Sequence, residues 1–198
     1  MKRKFAIIGH RAQSKGKLNL NDLAGSAGRL DVLLRAANTS LFISHGIRKD
    51  TEITLHLQGG PGQIRRVIFD GASLRGVRPD ERAIAGHIAK ALKEPVPSIG
   101  QMIEINSGLL HSGGGIKETI EQWRKDNVRI YILDADGSKL DSETLNSDRV
   151  GFVLSDDMPF TDEEKEIFEG IERVSLGDTW LQGHACISII HHQLDFIR

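Results

Sequence analysis

From about residue 102 onward the chain alternates short apolar runs with segments of helical periodicity, and this alternation restricts the fold more than any other feature. Residues 102–105, 128–133, 151–154 and 173–176 read as strands, and residues 116–124, 162–170 and 185–197 as helices. Strands without polar–apolar alternation are covered on both faces, and the intervening helices supply the crossovers that parallel strands need. The expected class is therefore α/β, a mostly parallel sheet flanked by helices.

The first half fits the same class. Residues 4–8 read as a strand, followed by a polar stretch, 10–21, without periodicity. Leu30, Leu33, Leu34, Ala37 and Leu41 recur at helical spacing, which predicts a helix over 28–44 with Asp31 in its first turn, where a carboxylate favours the dipole. Residues 51–57 and 63–69 alternate on either side of Gln58-Gly-Gly-Pro-Gly62, the pattern of a hairpin. Pro79-Asp80-Glu81 opens a helix that buries Ile84, Ile88, Ala91 and Leu92. Residues 94–99, with Pro95 and Pro97, form a connection. No internal repeat is visible, and 198 residues suit one domain over 1–198.

Charge divides the chain more sharply than hydrophobicity does. Residues 1–99 carry 17 Lys and Arg against 8 Asp and Glu, net +9, and residues 100–198 carry net −10. Clustered cations favour phosphate backbones through counterion release, so the first half is the candidate RNA-facing side. Chance distribution over a solvated surface explains the split equally well. The longest apolar runs are about six residues, against the ~20 of a membrane span. A single cysteine excludes an internal disulfide, and without a signal-peptide core the expected location is the cytoplasm.

In parallel sheets ligands bind beyond the carboxyl ends of the strands. Leu133-Asp134, Ser155-Asp156-Asp157 and residues 176–181 are thus the candidate pocket loops. Ser112-Gly-Gly-Gly115 precedes a helix and could cradle a phosphate, but it lacks the Lys-Ser/Thr of a P-loop, and a flexible turn is favoured. His184, Cys186, His191 and His192 have no metal-ligand spacing, so no metal is expected. Cys186 reads as a buried or pocket-lining thiol rather than a nucleophile. Arg29 and Asp31 are either a surface Arg and a dipole-favouring acid, or a phosphate contact and a proton acceptor. Spacing alone leaves both open. His45-Gly-Ile-Arg48 and Arg78-Pro-Asp-Glu-Arg82 pose the same choice.

Three segments carry a resemblance. They are Asp22-Leu-Ala-Gly-Ser-Ala-Gly-Arg-Leu-Asp-Val-Leu-Leu-Arg35 with Phe42-Ile-Ser-His-Gly-Ile-Arg-Lys-Asp50, then Arg78-Pro-Asp-Glu-Arg82, then Val174-Ser-Leu176 through Cys186-Ile-Ser-Ile-Ile-His191. Together they resemble the tRNA pseudouridine-54 N1-methyltransferase family first associated with archaea, within the SPOUT superfamily. The likeness runs end to end and weakens between residues 97 and 143. It implies a deep C-terminal trefoil knot within 100–198, a homodimer, and S-adenosylmethionine as cofactor. By position it implies cofactor contacts from Leu133, Ser155, Leu176, Gly177, Leu181, Cys186 and Ile187. It implies an RNA side made of Arg29, Asp31, Arg48 and Arg82 with tRNA as the partner; within it Asp31, as proton acceptor, and Arg29 are the expected catalytic residues. Methylation of another RNA, such as ribosomal RNA, or an inactive knotted RNA-binding module are the alternatives.

Overall fold

The computed structural model describes residues 1–141, 145 and 147–196. The strand β1 (Lys2–Gln13) lies inside the sheet, between two parallel neighbours. Its side chains alternate between two apolar layers: Phe5 and Ile7 belong to one core, Ala6 and Ile8 to the other. The strand runs past the expected 4–8. Its register shifts between Gly9 and Gln13, and Gln13 pairs with Gly59. That irregularity leaves residues 10–12 without ladder partners before Gln13 rejoins, which erases their periodicity, so the sequence reads there as loop.

The helix α1 (Leu30–Leu41) starts from two left-handed residues, Gly28 at φ 66° and Arg29 at φ 62°. A Cβ on residue 28 would stand 1.7 Å from the Arg11 carbonyl oxygen, so only glycine fits. The helix stops short of residue 44. Phe42 turns extended, and β2 (Phe42–Ile43) pairs with β3 (Gly46–Ile47) in a small antiparallel ribbon. β4 (Thr51–Gly59) and β5 (Arg65–Asp70) form the expected antiparallel hairpin. α2 (Glu81–Lys93) is capped by Asp80, whose carboxylate accepts from the Ala83 N–H at 2.7 Å.

The expected strand at 102–105 is β6 (Ile103–Asn106), but it is one arm of a hairpin with β7 (Leu109–Gly113), which the sequence reading missed. β7 takes Ser112 and Gly113 out of the turn expected there. Gly115 then starts α3 (Ile116–Lys125), and its N–H donates to Glu118 at 2.6 Å. A carboxylate thus holds a donor that a phosphate would need. The order continues through β8 (Arg129–Lys139), β9 (Arg149–Ser155), α4 (Asp162–Ile167), β10 (Glu172–Ser175) and α5 (Gly183–Phe196). α4 ends before residue 170, α5 begins before residue 185, and the expected helix end at Ile197 lies outside the described residues.

The eight strands are ordered β10-β8-β9-β1-β4-β5-β7-β6. Every pair from β10 to β4 is parallel, and every pair from β4 to β6 antiparallel. The α/β expectation therefore holds, with an antiparallel edge. α1, α2 and α5 bury Leu33, Ile84 and Ile187 against one face, while α3 buries Ile120 and Trp123 against the other. Trp123 lies so close to β9 that a Cβ on Gly151 would meet its ring at 2.6 Å. From edge strand β10 the chain returns past the end of β9 to α5, which packs on α1. This return path closes one side of the site.

Candidate active site

The carboxyl ends of β9 and β10 and the middle of β8, which runs on past the expected 128–133, open on a cavity of about 700 Å³, within the size range of small-molecule and cofactor sites. Leu133, Ser155, Leu176, Gly177, Leu181 and Cys186 all line it, so six of the seven expected cofactor contacts share one wall system. Ile187 is the exception. One residue beyond Cys186, about 100° further round the helix, it is fully buried in the core behind the wall. Burial pushes the Cys186 thiol upward, and its Sγ contacts the Leu181 carbonyl at 3.8 Å. That suits a lining group and not a thiolate nucleophile. The Ser155 hydroxyl is bonded to the Met158 carbonyl.

Arg29 lies on the cavity rim, and its neighbour Asp31 is nearly buried. The Asp31 carboxylate accepts from Arg29 Nε at 3.0 Å and Nη2 at 3.3 Å, and from Arg35 Nη2 at 2.6 Å. Burial would raise its pKa, but the bonds from the two guanidinia outweigh that and hold it below the ordinary carboxylate range. Arg29 reaches a second acid, Asp157 Oδ2, at 3.4 Å, and Asp157 also pairs with Arg11. The left-handed backbone of Arg29, unfavourable for a side-chain-bearing residue, turns its guanidinium into this acidic lip. Arg35, one helical turn beyond Asp31, lines the cavity too. Its i,i+4 spacing from Asp31 was a signal the sequence reading passed over.

A second ionic cluster adjoins the first through consecutive Asp156 and Asp157. His10, at the end of the regular part of β1, has Nδ1 2.8 Å from Asp156 Oδ1 and Nε2 3.0 Å from Glu164 Oε2. Hydrogen bonds to Asp156 and Glu164 raise its pKa to about 9 against the opposing effect of burial, so the ring is an imidazolium at neutral pH. With carboxylates on both sides, both ring nitrogens donate. Sequence reading missed His10 because it falls in a stretch without periodicity. Its position just past Phe5-Ala-Ile-Ile8, at the carboxyl end of a parallel strand, was the available signal.

The remaining candidates lie elsewhere. Arg48 does not line the cavity; it makes a two-pronged contact with Asp195, at 3.2 and 2.8 Å. Arg82, exposed at the start of α2, donates to Asn21 Oδ1 at 3.0 Å. It sits near the Arg35 side of α1, since Arg35 Nη1 is 3.9 Å from Glu81. Three cations of the basic half, Arg3, Arg65 and Arg66, are interior. Arg66 donates to the Gly113 carbonyl and the Ser112 hydroxyl at 3.1 and 3.0 Å, so its charge serves the sheet edge. Burial keeps His191 neutral, with a pKa of about 4. Among the described residues no group of His, Cys, Asp and Glu is arranged to hold a metal ion, and no helix is long and apolar enough to cross a membrane.

Comparison with known proteins agrees with this architecture over the whole chain. The crystal structure of Archaeoglobus fulgidus Nep1 bound to S-adenosylhomocysteine superposes with a TM-score of 0.72, covering 100% of this chain and 99% of that one. At 12% identity, that likeness is one of fold. The tRNA (pseudouridine(54)-N(1))-methyltransferase of Haloarcula marismortui is 39% identical over 98% of this chain and 96% of its own length. The enzyme of the same name from Methanococcus maripaludis strain C6 is 35% identical over 99% of this chain and 100% of its own. Residues 2–198 match the model of a family described as SAM-dependent RNA methyltransferase, and the chain belongs to that family.

Proposed function

We propose that this chain binds S-adenosylmethionine in the cavity bounded by β8, β9 and β10 and methylates N1 of pseudouridine-54 in tRNA. One observation carries the reading: a cavity of about 700 Å³ walled by leucines, with carboxylates and the guanidinia of Arg29, Arg35 and Arg173 around it. The apolar walls suit an adenine ring, and the partly exposed carboxylates of Asp134 and Asp157 suit a ligand bearing a sulfonium and an ammonium group. The relatives' names supply the target base and its position.

S-adenosylmethionine supplies an electrophilic methyl group, so the protein's work is alignment and proton removal. N1 of pseudouridine is an imide-like N–H that must lose its proton as it attacks. In this reading Asp31 takes that proton, directly or through a water. Its depressed basicity suits a proton that departs together with methyl transfer rather than ahead of it. Arg29 holds Asp31 from one side and meets an RNA phosphate on the other; Arg48 and Arg82 extend that contact. Trp180, 83% exposed at the cavity, offers a flat face on which an extruded base can stack. The reading includes a cytoplasmic homodimer with the C-terminal half threaded as a trefoil knot. It is supported by the family resemblance, the return path from β10 to α5, and exposed apolar side chains such as Phe196.

The test is radiolabelled methyl transfer from S-adenosylmethionine into paired tRNA transcripts carrying uridine or pseudouridine at position 54. Transfer to the pseudouridine form alone is expected. Transfer to neither, with S-adenosylhomocysteine still bound, would keep the methyltransferase and discard this substrate. No transfer and no binding would leave an RNA-binding module.

A further inference from the structure

The segment between β9 and α4 contributes Asp156, Asp157, Met158, Pro159 and Phe160 to the cavity wall beside Ser155 at the end of β9, yet it contains no regular element that would hold it in place. Its two ends are tied down by carboxylates. At the first, the Asp156 N–H donates to the Ile8 carbonyl at 3.0 Å, and its carboxylate accepts from the Met158 N–H at 2.9 Å and the His10 N–H at 2.9 Å. At the second, Glu164 closes the start of α4 by accepting from the Thr161 N–H at 2.9 Å, and Gln58 of β4 lies 3.4 Å from its other oxygen. One ring joins the two. Both carboxylates are almost out of water, with side-chain exposures of 1% and 7%. Two such charges facing each other without a cation repel strongly, and the imidazolium between them supplies both the charge and the two donors.

We propose that His10 is a positioning residue of the cofactor pocket: by bonding Asp156 and Glu164 at once, it clamps residues 155–160 to α4 and fixes that wall of the cavity. This rests on the reading of the cavity as the S-adenosylmethionine site. The clamp acts on the wall and leaves the sheet alone, because β1 is paired to β4 and β9 on both sides by its own backbone. Its loss loosens the loop before it loosens the strands. His10 thereby couples the first strand of the chain to a loop whose sequence lies 146 residues away.

The experiment compares wild type, His10→Gln and His10→Gln/Glu164→Gln by amide hydrogen exchange without ligand, and by calorimetric titration with S-adenosylhomocysteine and with tRNA. In His10→Gln, exchange should accelerate over residues 155–161 while β4 and β5 stay protected. S-adenosylhomocysteine affinity should fall roughly tenfold or more, as expected for losing a charge-assisted bond, with tRNA affinity unchanged. The double variant removes the facing charge and should recover part of that affinity. Unchanged exchange in the loop, a uniform loss of protection across the sheet, or equal losses for both ligands would overturn the proposal. A wild type that fails to bind S-adenosylhomocysteine would sink the cofactor reading, while the exchange comparison would still decide whether His10 clamps the loop. Should His10→Gln fail to fold, Glu164→Gln alone keeps the bond to Asp156 and should loosen the same residues to a smaller extent; no change there would count against the clamp.

Discussion

Asp31 lies between two guanidinia, and Asp31→Asn separates its charge from its shape. If the carboxylate takes the N1 proton, turnover should drop about a hundredfold or more while S-adenosylhomocysteine affinity stays put, measured by single-turnover methylation and calorimetry. Equal losses in both would make Asp31 a clasp for Arg29 and Arg35. His10 gives a second test, in pH. It faces Asp156 from the loop after β9 and Glu164 from α4, whose other oxygen accepts from neutral Gln58 of β4. Its folded pKa is raised from 6.5 to about 9, so its contribution to stability is complete below pH 6.5 and lost as pH rises through about 9. Thermal melts should show that alkaline decline in wild type and a flatter profile in His10→Gln. Ser155 and Leu176 were legible in the sequence because a parallel sheet puts its ligand at strand ends, and Leu133 because the apolar run ends there although β8 continues to Lys139. His10 and Arg35 were not, because each acts through a partner that only folding supplies.

The start of α1 shows how far local sequence carries an element. The helical stripe from Leu30 to Leu41 was plain, but the two left-handed residues ahead of it leave no periodic mark. Gly28→Ala should lower the melting temperature sharply. The left-handed backbone alone costs about 1–3 kcal/mol for most residues, and the Arg11 carbonyl leaves no room for a methyl group. Arg29→Gly should melt no lower than Arg29→Ala, since glycine accepts the same backbone at no cost, yet both should weaken tRNA binding and flatten its salt dependence. An unchanged salt slope would assign Arg29 to structure. The hairpin of β6 and β7 escaped notice for a different reason. Leu109–Gly113 is short and runs into Gly114-Gly115, so its composition spoke for a turn. Its partner β5 decided otherwise.

Across the whole molecule, the +9 and −10 halves overstate the electrostatic asymmetry of the surface. Arg3, Arg65 and Arg66 are interior, and Arg11, Arg29, Arg35 and Arg48 already face carboxylates. Composition cannot distinguish a cation spent inside from one free to meet RNA. The most extended of these pairings is Arg3 Nη2 with Asp195 Oδ1 at 2.6 Å, reinforced by Arg48, with His191 Nδ1 2.9 Å from Arg3 Nη1. Burial would raise the Asp195 carboxyl, but the bonds from Arg48 and Arg3 prevail and hold it at about 2. Stability should therefore fall in two stages on acidification: from pH 6.5 toward 4 as buried His191 is forced to charge, then from 3.8 through about 2 as Asp195 protonates. Asp195→Asn should remove the second stage and keep the first in urea titrations at stepped pH.

This clasp also bears on how the protein is made. Asp195 follows Arg3 by 192 residues, and β9, which covers one edge of β1, begins pairing only at Arg149. At ~5–20 residues per second, a chain leaving the ribosome carries an apolar strand with a bare edge for roughly 7–30 seconds. Until β9 has been made, that edge is exposed to wrong partners or in need of a chaperone.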